Sequence, residues 1–155
     1  MLEGGNIQFK VPADTGGLRF AVVRSTYHGE MTGSMADACV EELVNAGVPR
    51  ESVCVYEAPG AWEIPLFVQR ALDDGFDGVA ALGVIVKGET YHFDMMANEI
   101  ARALMDLSLS YKKPVALEVL AVHDLEHARV RTIGTHNKGP EAAVALLAAV
   151  AGLRE

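Results

Sequence analysis

The segment 87–94 contains the densest group of residues that could carry out chemistry. Gly88 permits a tight turn, and the backbone amides of Glu89 and Thr90 come just before a predicted helix. Because free amides at a helix N-terminus attract anions, this segment could hold a phosphate group. His92 lies beside these amides, and an imidazole can transfer protons near neutral pH. A glycine-containing turn is a weak signal, so the loop alone favours an ordinary turn with a histidine beside the helix start.

A second candidate, segment 59–65, combines a turn, an aromatic ring and a carboxylate. Glu63 could accept hydrogen bonds from a polyol or from ring N–H groups, with Trp62 beside it. Equally, Trp62 could belong to the core, and Glu63 could be a first-turn charge that the helix dipole favours. The residues themselves leave both interpretations open.

Three further side chains could bind a ligand. The ring of Tyr27 could stack on a planar group, although a tyrosine at the surface or in a subunit contact fits the sequence equally well. Arg131 and Lys138 lie near two glycines and could hold a phosphate group. Their commonest role in such a loop is that of a solvated charge.

All of these candidates follow predicted strands. Apolar runs alternate with helical patterns, and each run is apolar throughout, which is typical of a parallel sheet with helices on both faces. The sequence therefore predicts an α/β sandwich with right-handed crossovers. Ligands bind beyond the carboxyl ends of the strands in such sheets, so the candidate segments should converge there. The predicted strands are 18–24, 52–58, 78–86 and 115–122, and the predicted helices are 29–46, 61–74, 94–111, 125–132 and 140–153. Four histidines lie in the segments after strands: His28, His92, His123 and His136.

The predicted helix 94–111 is apolar around most of its circumference. Ile100 and Leu104 belong to one apolar stripe, and Met95 and Met105 widen it beyond a single face. A helix of this kind is usually buried on two sides. In a domain with four strands, the second side is most simply covered by another subunit.

Length and composition limit the class of protein. The 155 residues fit one domain, predicted at 18–155 after an N-terminal tail at 1–17. A net charge of −8 argues against nucleic acid as a partner. No signal-peptide pattern is present, and the longest apolar run, 142–153, is too short to cross a membrane. We therefore expect a cytoplasmic protein that does not act at a membrane, with Cys39 and Cys54 as free, buried thiols. No pattern of metal ligands is present, so no metal site is predicted.

Three segments together resemble the signature segments of one family. They read Ala-Pro-Gly-Ala-Trp-Glu-Ile-Pro at 58–65, Gly-Val-Ile-Val-Lys-Gly-Glu-Thr-Tyr-His-Phe-Asp at 83–94, and Asn-Lys-Gly-Pro-Glu-Ala-Ala at 137–143. The chain is similar in these segments, in their order and in their spacing to the 6,7-dimethyl-8-ribityllumazine synthases. The resemblance extends from residue 18 to the C-terminus.

The resemblance implies a fold, an assembly and an activity. The fold would be a flavodoxin-like sandwich with a four-stranded parallel sheet. The assembly would be a homopentamer, which in some relatives builds a capsid of sixty subunits, with active sites between neighbouring subunits. The activity would be the condensation of 5-amino-6-(D-ribitylamino)uracil with 3,4-dihydroxy-2-butanone 4-phosphate, without metal or organic cofactor. Direct transfer of product to a riboflavin synthase is left open.

The resemblance also implies roles for individual residues. His92 would transfer protons, Tyr27 would stack on the pyrimidine, Glu63 would accept hydrogen bonds from the ribityl chain, and Leu117 would reach in from the adjacent subunit. The residues implied for the pyrimidine and ribityl chain are Tyr27, Ala61, Trp62, Glu63, Val84, Ile85, Val86 and Leu117. Those implied for the phosphate are Glu89 and Thr90, through their amides, with Arg131 and Lys138.

Some positions depart from the family pattern, and they keep other functions open. Ala61 stands where serine is common, Glu89 where alanine or glutamine is usual, and Leu117 where phenylalanine is frequent. The loop after Arg131 is one residue shorter than usual. These departures favour, as an alternative, an oligomeric scaffold that binds a lumazine or flavin without turnover. A third alternative, a monomeric flavodoxin-like electron carrier, conflicts with the broadly apolar helix.

Overall fold

The computed structural model describes residues 9–155, and four parallel strands form its single sheet in the order β2-β1-β3-β4. The strands are β1 (Phe20–Ser25), β2 (Val53–Ala58), β3 (Gly78–Val86) and β4 (Val115–Val122). The helices are α1 (Gly29–Asn45), α2 (Ile64–Asp73), α3 (His92–Tyr111), α4 (Leu125–Thr132) and α5 (Gly139–Leu153), with 3₁₀ turns at Arg50–Ser52 and Ala61–Glu63.

Helices cover both faces of the sheet, and this confirms the predicted three-layer α/β sandwich. On one face, Met35 of α1 and Leu146 of α5 pack against Phe20 and Val22 of β1. On the other face, α2 and α3 pack against the sheet through their own buried residues, such as Ile64, Val68, Ile100 and Leu104. The strand order is that of flavodoxin-like sheets, in which the chain direction across the sheet reverses between β1 and β3.

The central strands explain why continuous apolar runs predict this fold. Residues 78–85 of β3 are all buried, because β3 has a strand on each side and helices on both faces. Burial of each full Val, Leu or Ile side chain stabilises the fold by roughly 1.5–3 kcal/mol. The predicted and observed bounds of β3 and of β4 coincide.

The two edge strands are less covered, and they correct one prediction. Cys39 on α1 is buried as predicted, but Cys54 on β2 is exposed. The prediction for Cys54 is wrong because β2 is an edge strand whose central residues are not covered by a helix. On the opposite edge, Leu117 of β4 is 51% exposed.

Helix α3 is buried along one side only within the single chain. Ile100 and Leu104 are buried against the sheet, whereas Met95, Met105 and Leu109 are exposed. An apolar helix face open to water favours burial against a partner. Within the single chain, the second side of α3 is therefore exposed, although the sequence predicts that it is buried.

Several boundaries differ from the predicted ones by one to three residues. The predicted helix at 61–74 is a 3₁₀ turn followed by α2, with Pro65 in the first turn of α2. Helix α3 begins two residues earlier than predicted, at His92. Part of the predicted tail, residues 1–8, lies outside the described residues, and 9–17 contain neither helix nor strand. None of the helices between residues 9 and 155 is both long and apolar enough to cross a membrane.

Candidate functional site: two cavities flanking β3 and β4

Hydrogen bonds join the loops after β1 and β2 at the carboxyl ends of the strands. The Thr26 amide donates to the Ala58 carbonyl at 2.7 Å, and the Tyr27 amide donates to the Pro59 carbonyl at 3.1 Å. These bonds bring Tyr27 beside the segment that contains Trp62. The loops therefore converge where the strand order reverses, as the parallel sheet predicts.

A cavity of about 1130 Å³ opens at this point, and we call it the aromatic cavity. It contains eight of the residues predicted for the site: Tyr27, Ala61, Trp62, Glu63, Val84, Ile85, Val86 and His92. These residues come from the ends of β1 and β3, from the 3₁₀ turn before α2 and from the first turn of α3. Two strand ends and two helix starts thus position most of the predicted residues in a single space.

The aromatic side chains of this cavity are open to ligands. Tyr27 is 70% exposed and Trp62 is 57% exposed. Trp62 is therefore not a core residue, which was one of the two interpretations that its segment allows. The Tyr27 ring meets the His28 ring edge-on, with the ring centroids 4.6 Å apart. This contact limits the rotation of the exposed Tyr27 ring, which could stack on a planar ligand.

Glu63 is oriented by the backbone just before it. The Gly60 N–H donates to Glu63 Oε1 at 3.1 Å. Glu63 Oε2 accepts no hydrogen bond from residues 9–155. The carboxylate thus caps the turn and also faces the cavity, so the two interpretations of Glu63 are compatible.

The backbone of β3 supplies polar groups to the same cavity. Pairing between β1 and β3 ends at Arg24 and Leu82, whereas β4 pairs with β3 as far as Val86. Within the described chain, the β1 side of Val84–Val86 therefore has no strand partner. Amide and carbonyl groups on that side are free to recognise the edge of a heterocycle, since a backbone edge offers donors and acceptors in a fixed order.

The loop before α3 lies next to this cavity along the chain. Its first amide, of Lys87, donates to the Val122 carbonyl at 2.8 Å. Glu89 and Thr90 are exposed and line neither of the two cavities, and the His92 amide donates to Thr90 Oγ1 at 3.4 Å. His92 is exposed at the start of α3, where partial positive charge from the helix accumulates. An anion bound by the Glu89 and Thr90 amides would lie beside the imidazole.

A second cavity of about 920 Å³ lies along the outer edge of β4, against α5, and we call it the cationic cavity. It contains three further predicted residues, Leu117, Arg131 and Lys138, together with Glu118 and Glu141. Because β4 is an edge strand, no strand of the described chain separates this cavity from solvent. The predicted phosphate ligands are thus divided: Arg131 and Lys138 line this cavity, whereas the Glu89 and Thr90 amides belong to the loop before α3.

Arg131 and Lys138 are held together by the loop between α4 and α5. The Lys138 amide donates to the Arg131 carbonyl at 2.8 Å, and Arg131 Nη1 donates to the His127 carbonyl at 2.8 Å. Lys138 Nζ forms an ion pair with Glu141 Oε1 at 2.9 Å. Arg131 in the last turn of α4 and Lys138 just before α5 therefore flank one ordered loop, although each cation already has an acceptor.

The same loop is anchored to α1 by Asn137 and Gly139. Asn137 Nδ2 donates to the Ser34 carbonyl at 3.2 Å, and the Gly139 amide donates to Asn137 Oδ1 at 2.8 Å. A Cβ atom on Gly139 would overlap the carbonyl oxygen of Met35. Only glycine permits this close approach, which fixes the position of the cationic loop.

Glu118 is the one acid in the middle of β4, and it is half-buried. Burial, and to a smaller extent the charge of Glu141, raise the pKa of its carboxyl group to about 7 against the opposing charge of Lys138. Burial also raises the pKa of the Cys39 thiol to about 12, with smaller contributions from Glu118 and Glu42. Cys39 is therefore a protonated core residue and not a nucleophile.

Sequence reasoning missed several residues of these cavities. Helix α3 supplies Met95, Met96 and Glu99, which lie three, four and seven positions after His92 and therefore share its helix face. This spacing could have identified them from the sequence. His28 precedes α1 with a left-handed backbone (φ 55°), a conformation that the sequence does not reveal. The other residues of the aromatic cavity are His28, Gly60, Met95, Met96, Asn98 and Glu99.

The fold and these cavities define a parallel α/β protein with a small-molecule site where its strand order reverses. The model of the 6,7-dimethyl-8-ribityllumazine synthase family matches residues 17–154. The chain therefore belongs to this family, whose members are transferases of riboflavin biosynthesis.

Individual relatives agree with the family match. The chain is 41% identical over 133 residues to the 6,7-dimethyl-8-ribityllumazine synthase of Gemmatimonas aurantiaca, which covers 84% of this chain and 81% of the relative. It is 38% identical over 143 residues to the synthase of Burkholderia multivorans, covering 92% of this chain and 80% of the relative. The synthase of Burkholderia vietnamiensis is also 38% identical, covering 92% and 82%. The resemblance stated from the three sequence segments is thus confirmed.

Proposed function

We propose that the chain condenses 5-amino-6-(D-ribitylamino)uracil with 3,4-dihydroxy-2-butanone 4-phosphate to give 6,7-dimethyl-8-ribityllumazine. Membership of the family supports this reaction. The observation that carries the proposal is the division of the predicted residues between an aromatic cavity and a cationic cavity on separate faces of one chain. A heterocycle and a phosphate ester need these two chemistries side by side.

The aromatic cavity suits the uracil substrate. The Tyr27 ring would stack on the pyrimidine, and the unpaired backbone of Val84–Val86 would pair with its polar edge. Glu63 Oε2 would accept hydrogen bonds from the ribityl hydroxyls. Ala61 contributes only a small surface here, so the ribityl chain depends more heavily on Glu63 and on Trp62.

The cationic cavity would complete the site from a second copy of the chain. Its Arg131 and Lys138 would hold the phosphate together with the Glu89 and Thr90 amides of the first copy. Leu117, which is 51% exposed on the edge of β4, would cover the pyrimidine from the side opposite Tyr27. The same contact between copies would cover the exposed side of α3 and the outer edge of β4.

Catalysis in such a site relies mainly on position. Holding the amine against the ketone replaces a bimolecular encounter by an oriented one. Imine formation releases one water, elimination releases phosphate, and ring closure releases a second water, so the atoms balance. The His92 imidazole would move protons during imine formation and elimination, beside the phosphate that leaves.

The proposed assembly follows from the shared site. We propose a homopentamer, because each chain then offers one cavity of each kind to its two neighbours, and a sixty-subunit capsid would be built from such pentamers. The cytoplasm as location and a riboflavin synthase as partner stay predictions. Sedimentation or native mass spectrometry of the purified protein measures the assembly directly.

A turnover assay tests the activity. Purified protein is supplied with both substrates, and the fluorescent lumazine is followed over time against the spontaneous reaction. Acceleration supports the proposal. A folded oligomer that binds the lumazine without accelerating its formation would favour the scaffold alternative instead.

Mixing two defective variants tests the shared site. His92→Ala damages the aromatic cavity and Arg131→Ala damages the cationic cavity, so each homo-oligomer should be slow when the butanone phosphate is supplied below the KM that Arg131→Ala raises. After co-refolding, about a quarter of the sites should combine two intact cavities, since random mixing of equal parts gives that share. Activity that stays at the average of the two parents would contradict a site shared between copies.

A further inference from the structure

Glu118 occupies an unusual place for an acid. It lies in the middle of β4, opposite Leu82 of the central strand β3, and its neighbours on the same side of β4, Ala116 and Leu120, pack in the core. None of the hydrogen bonds or ion pairs within residues 9–155 involves its carboxyl group. A half-buried carboxyl group acts more strongly on nearby charges than an exposed one, because water screens it less.

The charged and titratable groups around Glu118 come from three helices. The loop that starts α5 contributes Lys138 and Glu141, and α4 contributes Arg131 to the same cavity. From α1, only the buried Cys39 thiol is close enough for Glu118 to affect its ionisation. The two cations of this cavity thus face two acids, of which Glu141 already pairs with Lys138.

We propose that Glu118 determines how tightly the cationic cavity holds a phosphate group, because its carboxylate repels the phosphate and competes with it for the charge of Lys138 in the same cavity. The identity of the phosphate ester rests on the proposed function, whereas the competition itself requires only a phosphate group. Glu118 is therefore a specificity-determining residue that does not itself touch the reacting atoms. The cavity would therefore bind a strongly negative phosphate group best when the Glu118 carboxyl group is protonated and neutral.

The direction of the pH effect follows from the ionisation of Glu118. Its pKa is raised to about 7, so the carboxyl group is mostly neutral at pH 6 and mostly charged at pH 8. At pH 6 the two cations attract the phosphate without opposition from Glu118. At pH 8 the carboxylate repels the phosphate and attracts Lys138, so binding weakens relative to a chain that lacks this charge.

Calorimetric titration with inorganic phosphate tests the competition in the assembled protein. The phosphate itself ionises between pH 6 and pH 8, so the measured quantity is the ratio of the wild-type dissociation constant to that of Glu118→Gln. We expect a ratio near one at pH 6 and about five at pH 8, since one charge at this range changes binding by roughly that factor. Glu118→Asp, which keeps the ionisable group, should restore most of the pH dependence.

Glu141→Gln is the matched control because it removes the other acid of the same cavity. The Glu141 side chain is 58% exposed, so its removal should change phosphate binding by a similar factor at pH 6 and at pH 8. Lys138→Gln should weaken phosphate binding at both pH values, which locates the bound phosphate in the cationic cavity.

Three outcomes would overturn the inference. In the first, the ratio of the wild-type dissociation constant to that of Glu118→Gln is the same at pH 6 and pH 8. In the second, the corresponding ratio for Glu141→Gln changes with pH as much as the ratio for Glu118→Gln. In the third, phosphate binding is undetectable or is not changed by Lys138→Gln. Turnover is measured on the same preparations. If the ratio of dissociation constants changes with pH but the protein shows no turnover, the inference about Glu118 is supported and the proposed reaction is contradicted. If the protein shows turnover but the ratio does not change with pH, the reaction is supported and the inference is contradicted.

Discussion

The aromatic and cationic cavities are built in different ways from neighbouring parts of one sheet. Strand ends and the starts of helices converge on the aromatic cavity, and its ligand-binding groups are exposed rings and an unpaired backbone edge. The cationic cavity lies along the flank of an edge strand, and a clamped loop sets the position of its two cations. The first cavity follows from the topology of any parallel sheet, whereas the second depends on particular side chains.

This difference separates recognition of shape from recognition of charge. The aromatic cavity offers flat rings and fixed backbone donors, which select a planar heterocycle. The cationic cavity offers two cations opposed by two acids, and its affinity for an anion therefore depends on pH and on salt. Changes in the first cavity should alter catalysis, and changes in the second should alter the binding of the charged substrate.

The largest effect is expected where the cationic loop meets α1. Gly139→Ala should destabilise the protein by about 3 kcal/mol, because the new methyl group overlaps the Met35 carbonyl and the backbone must shift. Thermal unfolding should show a melting temperature lower by about 10 °C. Gly152→Ala on the same helix is the control, since a Cβ there meets no neighbouring atom within 4 Å. An unchanged melting temperature for Gly139→Ala would refute the close approach.

A smaller loss should follow from removal of the imidazole. His92→Ala should lower kcat by about 50-fold, with little change in either KM, because the variant loses proton transfer and keeps both binding surfaces. Steady-state kinetics with each substrate varied in turn measures both constants. His123→Ala serves as the control, since His123 also follows a strand but lines neither cavity. An unchanged kcat would exclude His92 from the mechanism.

The corresponding change in the cationic cavity should affect KM instead. Arg131→Ala should raise the KM for the butanone phosphate by about 20-fold, the effect of losing one charge-assisted hydrogen bond. The KM for the uracil substrate should stay within about twofold in the same experiment. Arg129→Ala is the control on the same helix, because Arg129 lies near Glu30, 3.8 Å away, and does not line the cavity. Equal changes in both KM values would argue against separate cavities.

The smallest effect concerns stability and pH. Because the pKa of Glu118 is raised, the folded chain holds a proton that the unfolded chain releases. The free energy of unfolding is therefore highest below about pH 4.5, with respect to this group, and decreases as the pH rises through 7. Relative to Glu118→Gln, the wild type should lose about 1.5 kcal/mol of unfolding free energy between pH 4.5 and pH 8, because partial exposure of the carboxyl group weakens the effect. Denaturant titrations at both pH values measure this difference, and a difference that does not change with pH would contradict the buried environment of Glu118.

The layered fold and the aromatic cavity could be predicted from the sequence because both depend on local patterns. Continuous apolar residues identify β3 as a buried parallel strand, and strand ends identify where Tyr27, Trp62 and His92 meet. The exposure of Cys54 could not be predicted, because an apolar run does not show which strand lies at an edge. Glu118 was missed because one acid in an apolar strand resembles an ordinary exposed position.

The division of the phosphate ligands could not be predicted from the strand-end rule either. That rule places both Arg131 and the Glu89 amide at the same end of the sheet, but it does not say on which side of β4 each one lies. The structure places Arg131 and Lys138 on the α5 side, whereas the loop with Glu89 leads into α3 on the other. Three-dimensional packing of α4 and α5 decides this, and it involves contacts between residues about a hundred positions apart.

Because α5 packs on α1, half of the core can form only at the end of protein synthesis. Met35 and Leu43 of α1 leave the ribosome early, but the residues of α5 that cover them, such as Leu146, are among the last to be made. At about 5–20 residues per second, this half of the core stays open for about 5 to 20 seconds on each nascent chain. Chaperones that bind emerging apolar segments would therefore meet this half of the core first at β1 and α1, and release would have to wait for α5.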